Sequence, residues 1–384
     1  MNRFTITSMI MLLCLSLSVT VSCTKKETSS QRAQGTISKE EATATVQDNA
    51  EPTKMRTVTD LFGRQVQVPE EVKTIAAIGG AARLLTYAGC ADKLVGVTDM
   101  DKENIPSMPY TVVNADHFAK IGSVGKGGSK DVCYPEKLVT QSPDVIFALT
   151  DQDTVQSIQE QTGIPTIALS VDDMFDVKLY KSLMLVGDIM GTDSQCNQVV
   201  DYIKSCQKDL DARTRDIPEQ NKPTVYTGAV SFRGAHGFEG TYGAYPPFDA
   251  IHAKNVVDST GTKGALLVDR EKVVVWNPDI IFLNPTNLQL VRDDYPIHRS
   301  FYDSLTAVQE DKLYAQIAYN YNWTNIELSI ADAYYAGKII YPEAFSDIDP
   351  AKKADEIFTV MLGKPIYQSL QDAGLGFGRL KIKD

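Results

Sequence analysis

The chain has 384 residues, a formal net charge of −11 and 43% hydrophobic residues. This acidic balance, with no basic stripe, argues against a nucleic-acid partner. Only six cysteines are present and none stands in a CxxC spacing, which argues against a disulfide framework or a cysteine zinc site.

The first residues, 1–22, read as an export signal. Arg3 gives a positive start, and "MIMLLCLSLSVTV" is apolar but short for a membrane span. The stretch ends in "TVSC" and resembles a lipoprotein signal, which makes Cys23 the lipid-bearing first residue of the mature chain. Residues 23–55 hold almost no large apolar side chains, so they read as a disordered tether behind the lipidated cysteine.

From residue 56 the composition becomes globular. About 330 residues exceed one comfortable core, so two lobes are expected. "RTVTDLFGRQVQVP" alternates around Phe62-Gly63 as a hairpin does, and "VKTIAAIGG", "LVGVTD", "PDVIFALT" and "IPTIALS" read as strands separated by helices. Alternating helix and strand predicts a mainly parallel sheet in a first lobe, 56–175, with functional loops at the strand C-terminal ends. Residues 176–216 carry helical periodicity without a strand and read as linking helices. The one over 193–214 would set Cys196 and Cys206 about 15 Å apart, too far to bridge. A second lobe, 217–384, opens with "KPTVYTGAV" and closes with a helix started by Asp349-Pro350. "EKVVVWNPDIIFLNP" echoes "PEKLVTQSPDVIFALT", so the two α/β lobes are expected to be similar, with a ligand cleft between them.

Ligand-type side chains gather at the expected strand ends. In the first lobe these are Gly79, Gly80 and Arg83, then Asp116 and His117, then Thr150, Asp151 and Gln152. In the second lobe the loop "FRGAHGFEGTYGAYPPF" supplies Phe232, Arg233, His236, Glu239 and Tyr242. "AYNYNW" adds Tyr319, Asn320, Tyr321 and Asn322 ahead of a helix start, where N–H groups favour anions. Twelve of the 17 tyrosines follow residue 220, so the second lobe offers most of the phenols. His236 is the candidate metal ligand, because imidazole and phenolate suit ferric iron. The glycines around it argue against a helical HxxE pair with Glu239. "SVGKGGSK" lacks the phosphate-loop spacing and reads as a rim. An extracellular metalloenzyme built on His236 and Glu239 is the competing class, weakened by four histidines without an HExxH.

The ordered series "TVTDLFGRQVQVPEEVKTIAAIGG", "PDVIFAL", "TGIPTIALS", "NPDIIFLNP", "LTAVQEDKLYA" and "IIYPEAFSDIDP" resembles the substrate-binding lipoproteins of ABC importers for iron complexes and cobalamin. The resemblance runs over residues 56–367 and implies two α/β lobes joined by one long, rigid helix. It implies capture and handover with no catalysis and no intrinsic cofactor, by a monomer anchored to the outer face of the cell membrane. The expected ligand is first a ferric siderophore or other iron chelate, with cobalamin, haem or molybdate open. The expected partners are an importer permease and, through it, its ATPase. In the family a glutamate on each lobe docks the permease; Glu136 and Glu271 hold the matching places here.

Overall fold

The computed structural model describes residues 54–128 and 132–383. The signal, Cys23 and nearly all of the tether lie outside the described residues.

The chain opens with the hairpin read from its alternation. Strands β1 (Met55–Thr59) and β2 (Gln65–Pro69) pair antiparallel around Gly63, whose φ of +78° suits glycine. The buried Asp60 carboxylate holds the turn, accepting from the Phe62 and Arg64 amides and the Arg64 side chain. The hairpin leans on the edge of the first sheet, where the Leu61 amide donates to the Ala168 carbonyl.

That sheet holds β3 (Ile75–Gly79), β4 (Leu94–Thr98), β5 (Gly122–Gly125), β6 (Val145–Leu149) and β7 (Thr166–Ala168). Its order is β5-β4-β3-β6-β7 and every pair is parallel. The second sheet holds β8 (Thr224–Gly228), β10 (Lys254–Asn255), β12 (Ile280–Leu283), β13 (Leu313–Ala315) and β14 (Gly378–Arg379). Its order is β10-β8-β12-β13-β14, parallel except for the terminal edge strand β14. A small antiparallel ribbon of β9 (Gly240–Gly243) and β11 (Gly264–Leu267) stands beside it.

Alternating side chains send each sheet's two faces into different cores. Ile75, Ala77, Val145 and Phe147 of the first sheet share one core with Val225, Ile280, Phe282 and Tyr314 of the second. The intervening residues face separate cores, Ala76, Ile78 and Ile146 on one side of the molecule and Tyr226, Ile281 and Leu283 on the other. Helices fill the shared core. Asp193–Thr214, 22 residues long, is the connecting helix, preceded by Val177–Met190. Its Cys196 and Cys206 are buried and free, as is Cys90.

Helix Ile326–Ile340 runs through Gly337. A Cβ at Gly337 would lie 2.3 Å from Phe345 Cζ, so this glycine admits a neighbouring ring. The last long helix, Pro350–Leu362, capped by Asp349 as expected, also reaches the first lobe. Its Val360 carbonyl lies 3.5 Å from the Gln195 side-chain donor, and Lys364 just beyond it donates to the Val113 carbonyl. This helix therefore packs against both lobes, beside the single connecting helix.

Candidate functional site

Parallel strands end together, and the chain leaves each one at the same edge of the sheet. A cavity of about 940 Å³ lies where these edges face each other. Met100 follows β4, Gly128 follows β5, and Thr150 and Asp151 follow β6. Opposite them, Ser231 to Ala235 follow β8, Thr286 and Asn287 follow β12, and Asn320 to Trp323 follow β13. Three strand ends from each sheet thus build the walls.

The lining offers three aromatic side chains, Phe232, Tyr321 and Trp323, and three amides, Asn287, Asn320 and Asn322. It carries one cation and one anion. Asp151 caps helix Gln152–Thr162, taking the Thr154 amide at 2.9 Å and the Thr154 hydroxyl at 2.7 Å. These bonds hold its carboxyl below the usual range and commit it to the helix. Arg233 is exposed and has no ion-pair partner among the described residues. Its φ is +51°, beside Gly234 at +136°, in a tight turn closed by the Phe232 amide on the Gly234 carbonyl. A non-glycine residue held at positive φ marks strain that surrounding structure sustains, and such strain gathers at binding sites. Asn322 and Trp323, at +49° and +69°, share this feature.

The candidate residues read from the sequence divide accordingly. Thr150, Asp151, Phe232, Arg233, Asn320, Tyr321 and Asn322 line the cavity. Gln152 is exposed one residue beyond the lining. Gly79 and Gly80 lie beneath it, and a Cβ on Gly80 would meet Leu149 Cδ2 at 2.9 Å and Trp323 at 3.1 Å. Arg83 is a correction: its side chain is 1% exposed and turned away, donating to Asn325 Oδ1 at 3.0 Å and to the Asn322 carbonyl at 2.6 Å. Asp116 and His117 are another. Their short helix packs at the start of β4, where His117 Nε2 lies 3.0 Å from the Leu94 carbonyl. Mid-connection residues return to the N-terminal edge of a parallel sheet, the edge opposite the cavity.

In the second lobe, Tyr242, Tyr245 and Tyr319 form a cluster behind the wall, with ring centroids 5.6 Å apart for both Tyr242–Tyr245 and Tyr245–Tyr319. Burial pushes all three phenols up. His236 Nε2 donates to the Phe232 carbonyl at 2.8 Å and its ring sits 4.2 Å from that of Phe232. Glu239 stands 3.9 Å from Arg270. His236 stitches its own loop while Glu239 faces helix Arg270–Trp276, and the described residues contain no cluster of three or more His, Cys, Asp or Glu able to hold a metal ion. The start of helix Ile326–Ile340 is likewise no anion site, since Ile326 and Glu327 are buried and Tyr87 donates to the Glu327 carboxylate.

A family profile described as periplasmic binding protein matches residues 75–316, from the first residue of β3 to the residue after β13. The chain belongs to the periplasmic binding protein family. Members of this family bind solutes and are not enzymes, so His236 and Glu239 are not the ligands of a metalloenzyme. Among relatives of this periplasmic binding protein is the ABC transporter substrate-binding lipoprotein YvrC of Bacillus subtilis. It is 25% identical over 232 residues, 59% of this chain and 68% of that one. A periplasmic solute binding protein from Veillonella parvula shares the fold with a TM-score of 0.69 at 18% identity, over 84% of this chain and 97% of the other. MolA of Haemophilus influenzae, bound to molybdate, does so with a TM-score of 0.62 at 20% identity, over 81% and 98%.

Glu136 and Glu271 occupy matching places in the two lobes. Each is the second residue of a seven-residue helix, Pro135–Gln141 and Arg270–Trp276. Both are exposed, and neither carboxylate has an ion-pair partner among the described residues.

Proposed function

We propose that this protein is the extracytoplasmic receptor of an ABC importer, lipid-anchored through Cys23, that captures a metal complex and hands it to the permease. A ferric siderophore or related iron chelate is the ligand class preferred. The observation that carries this reading is the cavity's make-up: about 940 Å³, aromatic and amide walls, and a single uncommitted guanidinium at Arg233. Volumes of about 300–1,000 Å³ suit organic ligands. A bare oxyanion such as molybdate is held by convergent donors, and three rings with one cation are a poor match for that. An organic chelate of low net charge meets rings and carboxamides alike. The name of the Bacillus relative, a substrate-binding lipoprotein, supports the anchor that "TVSC" suggests.

Glu136 and Glu271 are read as the two contacts to the permease, one per lobe, each able to take an arginine in a paired, oriented bond. Native mass spectrometry of protein from complete medium, followed by tryptophan titration with a ferric trihydroxamate, cobalamin, haem and molybdate, tests the ligand. Saturable binding of the ferric chelate, weakened at least tenfold by Arg233→Ala or Trp323→Ala with folding intact, is the expected result. Binding of molybdate alone, or chelate affinity unmoved by both substitutions, would retire the reading.

A further inference from the structure

The floor of the cavity is also a joint between the lobes. The segment Tyr319–Asn325 leaves β13 of the second sheet and reaches across to the first lobe before entering helix Ile326–Ile340. Asn322, 8% exposed, spends its whole side chain there. Its Oδ1 accepts from the Gly128 amide at 3.0 Å. Its Nδ2 donates to the Tyr110 hydroxyl at 3.1 Å and approaches Asp101 Oδ1 at 3.4 Å. Tyr110 in turn donates to Asp101 at 2.6 Å, and Asp101 accepts from the Thr98 amide and hydroxyl. Arg83 closes the network from below, on the Asn322 carbonyl and on Asn325, with its guanidinium 4.6 Å from the Tyr110 ring centroid. Asn325 ties the strap to itself by donating to the Tyr319 and Tyr321 carbonyls. The residues on either side of Asn322 line the cavity and stay open to it: Tyr321 is 37% and Trp323 42% exposed.

Buried polar networks of this kind are satisfied in one geometry and poorly in others. The left-handed backbone at Asn322 and Trp323 is held by these bonds. We propose that Asn322 is a positioning residue of the binding site. It latches the second lobe's strap into the first lobe, sets the spacing of the lobes, and couples contact at Tyr321 and Trp323 to that spacing. The latch rests on the reading of this cavity as the ligand site, but the spacing it sets is a property of the empty protein.

Asn322→Gly tests it, because glycine accepts the φ of +49° and removes only the amide. Asn322→Asp is the second variant; it also tolerates that backbone but sets a carboxylate against Asp101. Both are made in the full-length chain with Trp276→Phe, so that Trp323 is the sole tryptophan. Electron-spin distances between labelled noncanonical residues at Gln156 and Val275, one per lobe, report the spacing. Hydrogen exchange reports the Gly128 amide, and thermal melting checks folding. The expected result for Asn322→Gly is at least tenfold faster exchange at Gly128, a broadened distance distribution without ligand, and at least tenfold weaker binding of a ferric trihydroxamate. Asn322→Asp should broaden the distances while keeping more of the Gly128 protection. Distances unchanged in both folded variants overturn the latch, and broadened distances with unchanged chelate affinity overturn the coupling. If the wild-type protein binds no chelate, the ligand reading falls, and the distances in the empty protein decide the latch alone.

Discussion

Replacing Arg83 by methionine separates its observed role from the one its position suggested. Methionine fills much of the same space but carries no donor. The change removes the bonds to Asn325 Oδ1 at 3.0 Å and the Asn322 carbonyl at 2.6 Å, and the contact with the Tyr110 ring at 4.6 Å. Hydrogen bonds from a charged donor contribute about 1.5–3 kcal/mol each, and the ring contact about 1 kcal/mol. Relief from burying a guanidinium offsets part of this. We expect a net loss of about 2–4 kcal/mol, measured by urea unfolding followed by circular dichroism. The loss should grow with pH. Burial already raises the Asp101 carboxyl above its usual range, and Arg83 is one of the groups that pull it back down. Without Arg83 the folded protein holds that proton more tightly, while the unfolded chain releases it as pH rises through the ordinary carboxylate range. The folded state of the variant therefore weakens further once pH passes the point where the wild-type Asp101 carboxyl ionises. A loss under about 1 kcal/mol would refute the assignment of Arg83 to the strap.

Asp332 should show a related signature. It is fully buried in helix Ile326–Ile340, and burial pushes its carboxyl well above the usual range against the Ile317 backbone amide. The native state keeps this proton while the unfolded chain loses it, so wild-type stability declines as pH rises past the ordinary carboxylate range. A carboxamide at this position has no such proton to lose. The melting temperature of Asp332→Asn minus that of wild type should therefore climb as pH rises above about 4, and a flat difference contradicts the burial argument. Gly337→Ala sets a methyl 2.3 Å from Phe345 Cζ, and calorimetry should record a loss of about 1–3 kcal/mol in spite of alanine's better helix propensity. Charge reversal at Glu136 or Glu271 should abolish cellular uptake while leaving ligand affinity within about twofold, since both residues lie outside the cavity lining. Uptake that survives both reversals removes these glutamates from the docking surface.

The strand-end rule carried much of the site. It placed Thr150, Asp151, Phe232 and Arg233 at the cavity, because a parallel strand exits where a ligand can reach the sheet. It failed where a residue's direction, not its address, decides the outcome. Arg83 is the third residue of a helix start, and the helix turn aims it at the core; sequence spacing alone does not say so. Asp116 and His117 sit midway between β4 and β5, where the chain has already returned to the far edge. Tyr242 and Tyr319 pack behind the wall because each ring meets Tyr245, bringing together β9, the start of the short helix Pro246–Asp249 and the chain after β13, a contact with no local trace. Thr286 and Asn287 went unread although their signal was present. "IIFLNPTN" ends in the second lobe as "VIFALTDQ" does in the first, and carrying the echo two residues further would have found them.

The same echo explains why the two exposed glutamates match. In each lobe a short helix ends in a left-handed residue, Ser142 at φ +47° or Asn277 at +39°, followed by Pro-Asp and a buried strand. The aspartate then clips the strand that opens its sheet. Asp144 takes the Lys73 and Thr74 amides at 2.7 and 2.9 Å; Asp279 takes the Thr224 amide and hydroxyl at 2.7 Å each. The threonines answer in kind, accepting the Asp144 amide at 3.2 Å and the Asp279 amide at 3.1 Å. A reciprocal clip fixes the helix against the first strand, and the helix fixes the angle at which Glu136 or Glu271 leaves the surface. Two such units, held apart by the connecting helix and by the Asn322 strap, present two carboxylates at a set separation. A change in lobe spacing would then move the two charges relative to one another.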